Sequence, residues 1–456
     1  VLGRVCIAAL AAILLSCSGA APPYGTLVLS VGTDLEVPRL LARLRVDVIG
    51  EGGTILESRE ASLRDRSALP ASFVVYTRET RRSILVRVRG YPDGAVVDGG
   101  DPDAALAVDR LLEVDLVDGT AAEASVALLG ACSGVAAKVE ERVACLDETG
   151  QLRPAPGASF EPLPSPGSFG LGPAIVAAPR AKAEGDEGEI VVPAGAFVLG
   201  GRDVATNRAW AGVPVASAPP RLVAVSSFLV DAHEVTVGRF RAAIARGFVP
   251  PAMPLANEGP LTAAAAPGIG TGACTFSAAP SSREAMPLSC VDWATARAFC
   301  RFEGGDLPTE AEWEWAASAA GRPAKVTFPW GDQRPACGEA VFARVQADPF
   351  ELTECLRAGR PAGPARVTED SDTTPLGIRG LGGNVAEWTV DAYAAYDGCA
   401  STRIDPRCDR EAERRVTRGG AFTEGWSGGH VALRKPALPG LPFAGIGFRC
   451  VRRSAS

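Results

Sequence analysis

Between residues 25 and 129, apolar and polar residues alternate over several short runs. Leu27–Val31, Leu44–Val48, Phe73–Tyr76 and Ile84–Val88 are each rich in β-branched and aromatic residues. A period of two is that of a strand with one covered face. The clusters Gly50–Gly53 and Tyr91–Gly94 supply turns between the runs. The pattern predicts a small antiparallel β-sandwich over residues 25–148. Such a domain carries no evident chemistry and is expected to be a spacer; the alternative is an immunoglobulin-like ligand-binding module. Residues 149–188 lose all periodicity, are dense in Pro, Gly, Ala and Ser, and end in the acidic Glu184–Glu187. They are expected to form a linker. From residue 189 to 453 the period changes. One helix is predicted from an N-cap at Thr236 to Gly247, and a second from Asp292 to Gly304. A third starts at Thr309, with Glu312 three residues on, as in a capping box. Short strands and glycine-rich loops fill the rest.

The first residues are patterned differently. Arg4 precedes an apolar run, Val5–Leu15, too short to span a bilayer as a mature helix. It ends in Leu14-Leu15-Ser16-Cys17, the form of a bacterial lipobox, so residues 1–17 are expected to be a lipoprotein signal with Cys17 as the lipidated residue. The alternative is an ordinary signal peptide with a chance cysteine. Ser18, instead of Asp, resembles the sorting signal of enterobacterial outer-membrane lipoproteins. Lipid would then be the link to the membrane. A net charge of -7 and the lack of a long basic run argue against nucleic acid as a partner. Only 2 histidines leave little room for a histidine-built metal site or triad. Of the 12 cysteines, Cys6 lies in the leader and Cys17 at its end. The remaining even number, in an oxidising compartment, is expected to form disulfides. No Cys-x-x-Cys spacing favours zinc.

Several segments resemble one known family. Pro193–Gly200 is similar to its opening strand, and Val230-Asp231-Ala232-His233-Glu234-Val235-Thr236 to its D-x-x-E-V-T helix entry. Cys290-Val291-Asp292-Trp293 through Cys300 resembles its second helix. Leu307-Pro308-Thr309-Glu310-Ala311-Glu312-Trp313-Glu314 is its most specific signature. Pro329-Trp330-Gly331, Gly383-Asn384-Val385-Ala386-Glu387-Trp388, Arg418-Gly419-Gly420 and Gly447-Phe448-Arg449 follow in family order. Residues 189–453 thus resemble the formylglycine-generating, or sulfatase-modifying factor, family. The resemblance implies an α+β fold related to C-type lectins, preceded here by the all-β domain.

What the resemblance implies about chemistry is largely negative. Family enzymes oxidise a sulfatase cysteine to an aldehyde with two cysteines that bind copper(I), a soft cation suited to thiolates. Those positions hold Glu424 and Gly429 here, so copper is not expected. Glu424 with His430 is a candidate acid/base or metal pair, against a polar loop without chemistry. His233 is expected to be a packed or surface histidine without a chemical role. A family calcium site maps onto Gly383, Val385 and Glu387, with Gly380 where an Asp or Asn ligand would stand. Asp306 replaces a basic residue of the family. The resemblance also implies a Cys300–Cys450 disulfide. By proximity in sequence, Cys132–Cys145, Cys274–Cys290, Cys337–Cys355 and Cys399–Cys408 are expected. The family groove takes an extended peptide, so a peptide or protein partner is expected in a non-catalytic binding or scaffold role. The alternative is an enzyme: a cryptic oxidase, or another activity around Glu424 and His430.

Overall fold

The computed structural model describes residues 24–453 except 78, 97–99, 172–178, 180–187, 202–219, 263–270, 347–351, 370–371 and 397–402. The expected lipidation site Cys17 lies outside these residues. The chain forms two compact units that divide between Leu171 and Gly172.

In the first unit, β1 (Gly25–Thr33) lies between β4 (Ala71–Thr77) and β7 (Ala121–Leu128). The second sheet has the order β3 (Ile55–Ser62), β2 (Arg43–Ile49), β5 (Arg81–Tyr91), β6 (Val108–Val117). The alternation is visible in burial: Phe73 and Val75 are buried while Val74 and Tyr76 are exposed. One expectation is corrected. The sandwich is not wholly antiparallel, because β1 pairs with β7 in parallel register. A period of two fixes which face is buried and says nothing about a neighbour's direction. Cys132 and Cys145 are bonded, and Cys145 closes β8 (Val143–Cys145), which pairs with β9 (Leu152–Pro154).

The expected linker is corrected in its first half. Residues 155–171 pack onto the first unit. The Glu161 carboxylate accepts two hydrogen bonds from Arg110 Nη2, at 3.0 and 2.8 Å, and one from the Ala127 N–H at 2.7 Å. Phe169 is buried, and its N–H donates to the Asp34 carbonyl at 2.9 Å. Proline-rich composition hid these anchors, one ionic and one aromatic.

The second unit is built from small sheets around three main helices. β10 (Glu189–Val192), β13 (Phe228–Asp231) and β18 (Val451–Arg453) form one sheet, and β11 (Gly195–Leu199) pairs with β12 (Arg221–Val225). A third has the order β16 (Lys435–Ala437), β15 (Arg415–Arg418), β14 (Ala386–Ala392), β17 (Ile446–Gly447). Helix α1 (Val237–Ala245) is capped by the Thr236 hydroxyl, and α2 (Trp293–Phe302) by the Asp292 carboxylate at 2.8 Å from the Thr295 N–H. Helix α3 (Glu310–Ser318) has the full capping box of Thr309 and Glu312. A short α4 (Glu354–Arg357) follows. The helices α1 and α2 meet through Phe240, Phe248 and Phe299, with Phe448 against Phe299.

Helix α3 is buried on every side. Its three carboxylates are each matched to an arginine from the C-terminal part of the chain: Glu310 to Arg434, Glu312 to Arg453 and Glu314 to Arg418. Burial pushes the Glu314 carboxyl up, and the charges of Lys325 and Arg418 outweigh burial and hold it low. Asp306, where the family has a base, binds Arg297 at 2.9 Å and Arg407 at 3.0 Å. Cys300–Cys450, Cys274–Cys290 and Cys337–Cys355 are bonded. The expected Cys399–Cys408 pair falls partly outside the described residues, since Cys399 is among those left out.

Asp391, at the end of β14, caps α3 from outside. Its two oxygens accept the Glu310 N–H at 2.7 Å and the Cys408 N–H at 2.6 Å. Burial, reinforced by the Glu310 charge, pushes its carboxyl up to about 7. A pKa raised on folding contributes stability that is full below the unfolded value and lost as pH rises through the folded one. The domain should therefore lose up to about 1.4 kcal/mol per pH unit between roughly pH 4 and 7 through this group. Asp391→Asn should cost one hydrogen bond at every pH and remove that slope. Urea denaturation from pH 4 to 7 checks this; parallel slopes for parent and variant would contradict it.

Candidate functional site

The loop after β15 begins at Gly419 and is held to two neighbouring segments. The Phe422 N–H donates to the Asn384 carbonyl at 2.8 Å, and the Ala343 N–H to the Glu424 carbonyl at 2.7 Å. The Asn384 N–H donates in turn to Val341 at 2.8 Å. Asn384 adopts a left-handed backbone, φ 64, and its side-chain oxygen accepts the Ala365 N–H at 2.9 Å. The Gly-Asn-Val-Ala-Glu-Trp segment is therefore the floor on which the loop lies.

The two positions where the resemblance would put the family's cysteines hold Glu424 and Gly429, and both are packed. The Glu424 carboxylate is 8 % exposed and receives Lys435 Nζ at 2.7 and 2.8 Å. The same ammonium donates to the Gly419 carbonyl, so one cation from β16 clamps both ends of the loop's first turn. Gly429 rests directly on the Gly382 carbonyl; a Cβ at 429 would fall inside van der Waals contact with that oxygen. A thiol there requires the backbone to move.

His430 turns elsewhere. Its Nδ1 accepts the Ala432 N–H at 3.2 Å, and its ring meets Phe328 edge-on at 5.8 Å. The structure thus brings Glu424 to Lys435 and His430 to an aromatic row. In that row Phe328 stacks on Trp330 at 5.1 Å and contacts Trp426 at 5.8 Å, with Arg334 over the Trp426 ring at 5.3 Å. Trp330 and Trp426 are half-buried. His233 is packed, 1 % exposed, with Nδ1 2.9 Å from the Glu234 carbonyl.

The residues proposed for calcium do not fit that ion as they stand. Glu387 is fully buried and both its oxygens are engaged: Arg449 Nε lies at 2.8 and 2.9 Å, and Trp313 Nε1 donates at 2.8 Å. A dication would have to sit beside that guanidinium or displace it. Gly380 offers no compensation. Its φ is +71, and a Cβ there would lie 2.6 Å from a Glu234 carboxylate oxygen, so the place of a side chain is taken by Glu234. Gly383 and Val385 lie in the floor segment, Val385 buried.

Several contributors to this site carry no local signal. Lys435 lies on β16, 11 residues beyond Glu424 in the loop, and Gly382 precedes the recognised segment. Trp330 is part of Pro329-Trp330-Gly331 and could have been named as a lining residue from the sequence.

Residues 175–454 match the family described as sulfatase-modifying factor enzyme 1-like domain. A formylglycine-generating enzyme of Thermomonospora curvata is 29% identical over 307 residues, covering 59% of this chain and 95% of that protein. An inactive C-alpha-formylglycine-generating enzyme 2 of Bos taurus is 30% identical over 176 residues, 36% of this chain and 50% of that protein. The solved structure of PvdO from Pseudomonas aeruginosa covers 60% of this chain and 98% of its own, with 20% identity and a TM-score of 0.45. The chain belongs to the sulfatase-modifying factor enzyme 1-like domain family.

Proposed function

We propose that the second unit is a non-catalytic member of its family that binds a peptide or protein partner. We further propose that the chain is exported, carries lipid on Cys17 and presents this domain at the outer membrane. The observation that carries the first reading is the pair of substitutions at the family's cysteine positions. Glu424 is neutralised by Lys435, and Gly429 is packed on the Gly382 carbonyl. Neither position offers a thiolate, and copper(I) chemistry needs soft ligands. The described domain cysteines 274, 290, 300, 337, 355, 408 and 450 are in disulfides and bring no free thiol to the loop. The inactive relative in Bos taurus supports the idea that the fold can serve without the oxidation. The half-buried Trp330 and Trp426 beside the loop, backed by the buried Phe328, give an extended partner rigid apolar surface, with Arg334 at its edge.

The oxidase alternative is separated by one assay. The purified chain, supplied with copper(I) and a peptide carrying the sulfatase cysteine motif, should form aldehyde no faster than the metal-free control. Aldehyde above that control would overturn the non-catalytic reading.

The anchoring is tested apart from it. Among the described residues, no helix is long and apolar enough to cross a membrane, and the lipobox at Leu14–Cys17 supplies an attachment of its own. Cys17→Ala should abolish lipid labelling and leave unprocessed precursor. Normal lipidation of the variant would refute the lipobox.

A further inference from the structure

A second polar site lies at the N-terminal end of α3, apart from Glu424, Gly429 and the aromatic row; of the loop after β15 it takes only the last residue, Arg434. It is a cleft lined by Arg221 at the start of β12, Glu310, Asp391, Tyr396, Arg407 and Arg434. Most of its charges are matched. Arg434 binds Glu310 through two hydrogen bonds, at 2.5 and 2.6 Å. Arg407 is shared between Asp306 at 3.0 Å and Asp409 at 2.8 Å.

Arg221 is different. It is 8 % exposed, its Nε–H has no hydrogen-bond partner, and its one recorded bond runs from NH1 to the neutral Tyr396 carbonyl at 3.2 Å. No carboxylate lies within ion-pair distance of it among the described residues. The Tyr396 ring carries the Arg221 guanidinium 4.9 Å from its centroid and the Arg434 guanidinium at 4.4 Å. Tyr396 is 6 % exposed and its hydroxyl is also without a partner. Burial pushes the phenol's pKa up, so that hydroxyl keeps its proton and can donate. Nearby, Arg403 is pushed down to about 10 by burial and by the charge of Arg221. The cleft therefore combines a buried guanidinium that makes no direct ion pair among the described residues, though the Glu310 charge in the same cleft acts on it, with two buried donors that lack acceptors. Native interiors rarely leave such groups unmatched, and an unmatched one often marks where a ligand belongs.

We propose that this cleft binds a small oxyanion, a carboxylate, phosphate or sulfate group, held by the Arg221 Nε–H and the Tyr396 hydroxyl. An oxyanion supplies both missing acceptors and the missing negative charge together, which water does not. Such a group could arrive as a free ion or as the terminus of a larger ligand, and both present the same oxygens to the protein.

Calorimetric titration of the intact purified chain tests this. Acetate, phosphate and sulfate are titrated separately against chloride at matched ionic strength. At least one oxyanion should bind saturably, one per chain: acetate would point to a carboxylate-bearing ligand, phosphate or sulfate to the tetrahedral ions. Tyr396→Phe keeps the ring and its contacts with both guanidinium groups, and should weaken that binding about tenfold or more. Arg221→Met should abolish it without lowering the melting temperature in chloride, because it removes a buried charge that has no partner. The proposal is wrong if no oxyanion saturates, if chloride binds equally well, or if Tyr396→Phe binds as tightly as the parent. Tyr396→Phe decides the matter even if Arg221→Met does not fold.

Discussion

The second unit depends on the pairing of the α3 carboxylates with arginines that arrive late in the chain. Glu310, Glu312 and Glu314 sit in a helix with no solvent face, and their partners Arg434, Arg453 and Arg418 come from three separate places after residue 414. A buried pair of this kind contributes little net stability when intact, since desolvation offsets attraction, yet losing one partner costs about 3–5 kcal/mol. The consequence is specificity of arrangement. Leu-Pro-Thr-Glu-Ala-Glu-Trp-Glu can be buried only if the last part of the chain returns in one register. The Cys300–Cys450 bridge and the Glu387–Arg449 pair hold the same returning segment to α2 and to β14. A fold with little regular structure is thereby fixed by charge matching and one long covalent tie.

The same logic governs the loop after β15. A family oxidase would keep two thiolates there, facing a groove. In this chain the first position has become half of a buried ion pair, and the second has lost its side chain and let the Gly382 carbonyl approach. Both changes make the loop part of the packed interior. Glu387 behaves alike: where calcium would recruit it, Arg449 and Trp313 already engage it. The positions that the resemblance assigns to a reaction or metal site are here engaged in ion pairs and packing, while the aromatic row beside them stays partly open. The unmatched donors of Arg221 and Tyr396 stand out against this background, because nearly every other buried charge among the unit's described residues has a partner.

Local features were legible in the sequence because their physics is local. The caps Thr236, Asp292 and Thr309 with Glu312 each act within three residues, and each helix starts where its cap stands. The apolar runs marked Leu27–Val31 and Phe73–Tyr76 as strands, but the all-apolar Phe73–Tyr76 did not say which face is buried: Val74 and Tyr76 are exposed. Long-range choices were not legible. Nothing in the first strand says that β7 will lie parallel to it. Nothing in residues 155–171 announces that Glu161 and Phe169 will anchor to Arg110 and to the Asp34 region. The loss of the cysteine pair was evident by counting. Its replacement by a Glu424–Lys435 clamp was not, because Lys435 reaches Glu424 only once β15 and β16 have paired. Arg221 and Tyr396, 175 residues apart, meet only in the folded domain.

The central claim is that the family's reaction site has been closed by packing, beyond the loss of two side chains. Putting the thiols back tests it most directly. The double variant Glu424→Cys with Gly429→Cys leaves Lys435 without its carboxylate and forces a Cβ against the Gly382 carbonyl. Urea denaturation and a copper(I) competition titration would be run on the variant beside its parent. The account predicts a variant destabilised by about 3–5 kcal/mol that binds copper(I) no more tightly than the parent. A variant as stable as the parent, with tight copper(I) bound by the two new thiolates, would contradict it.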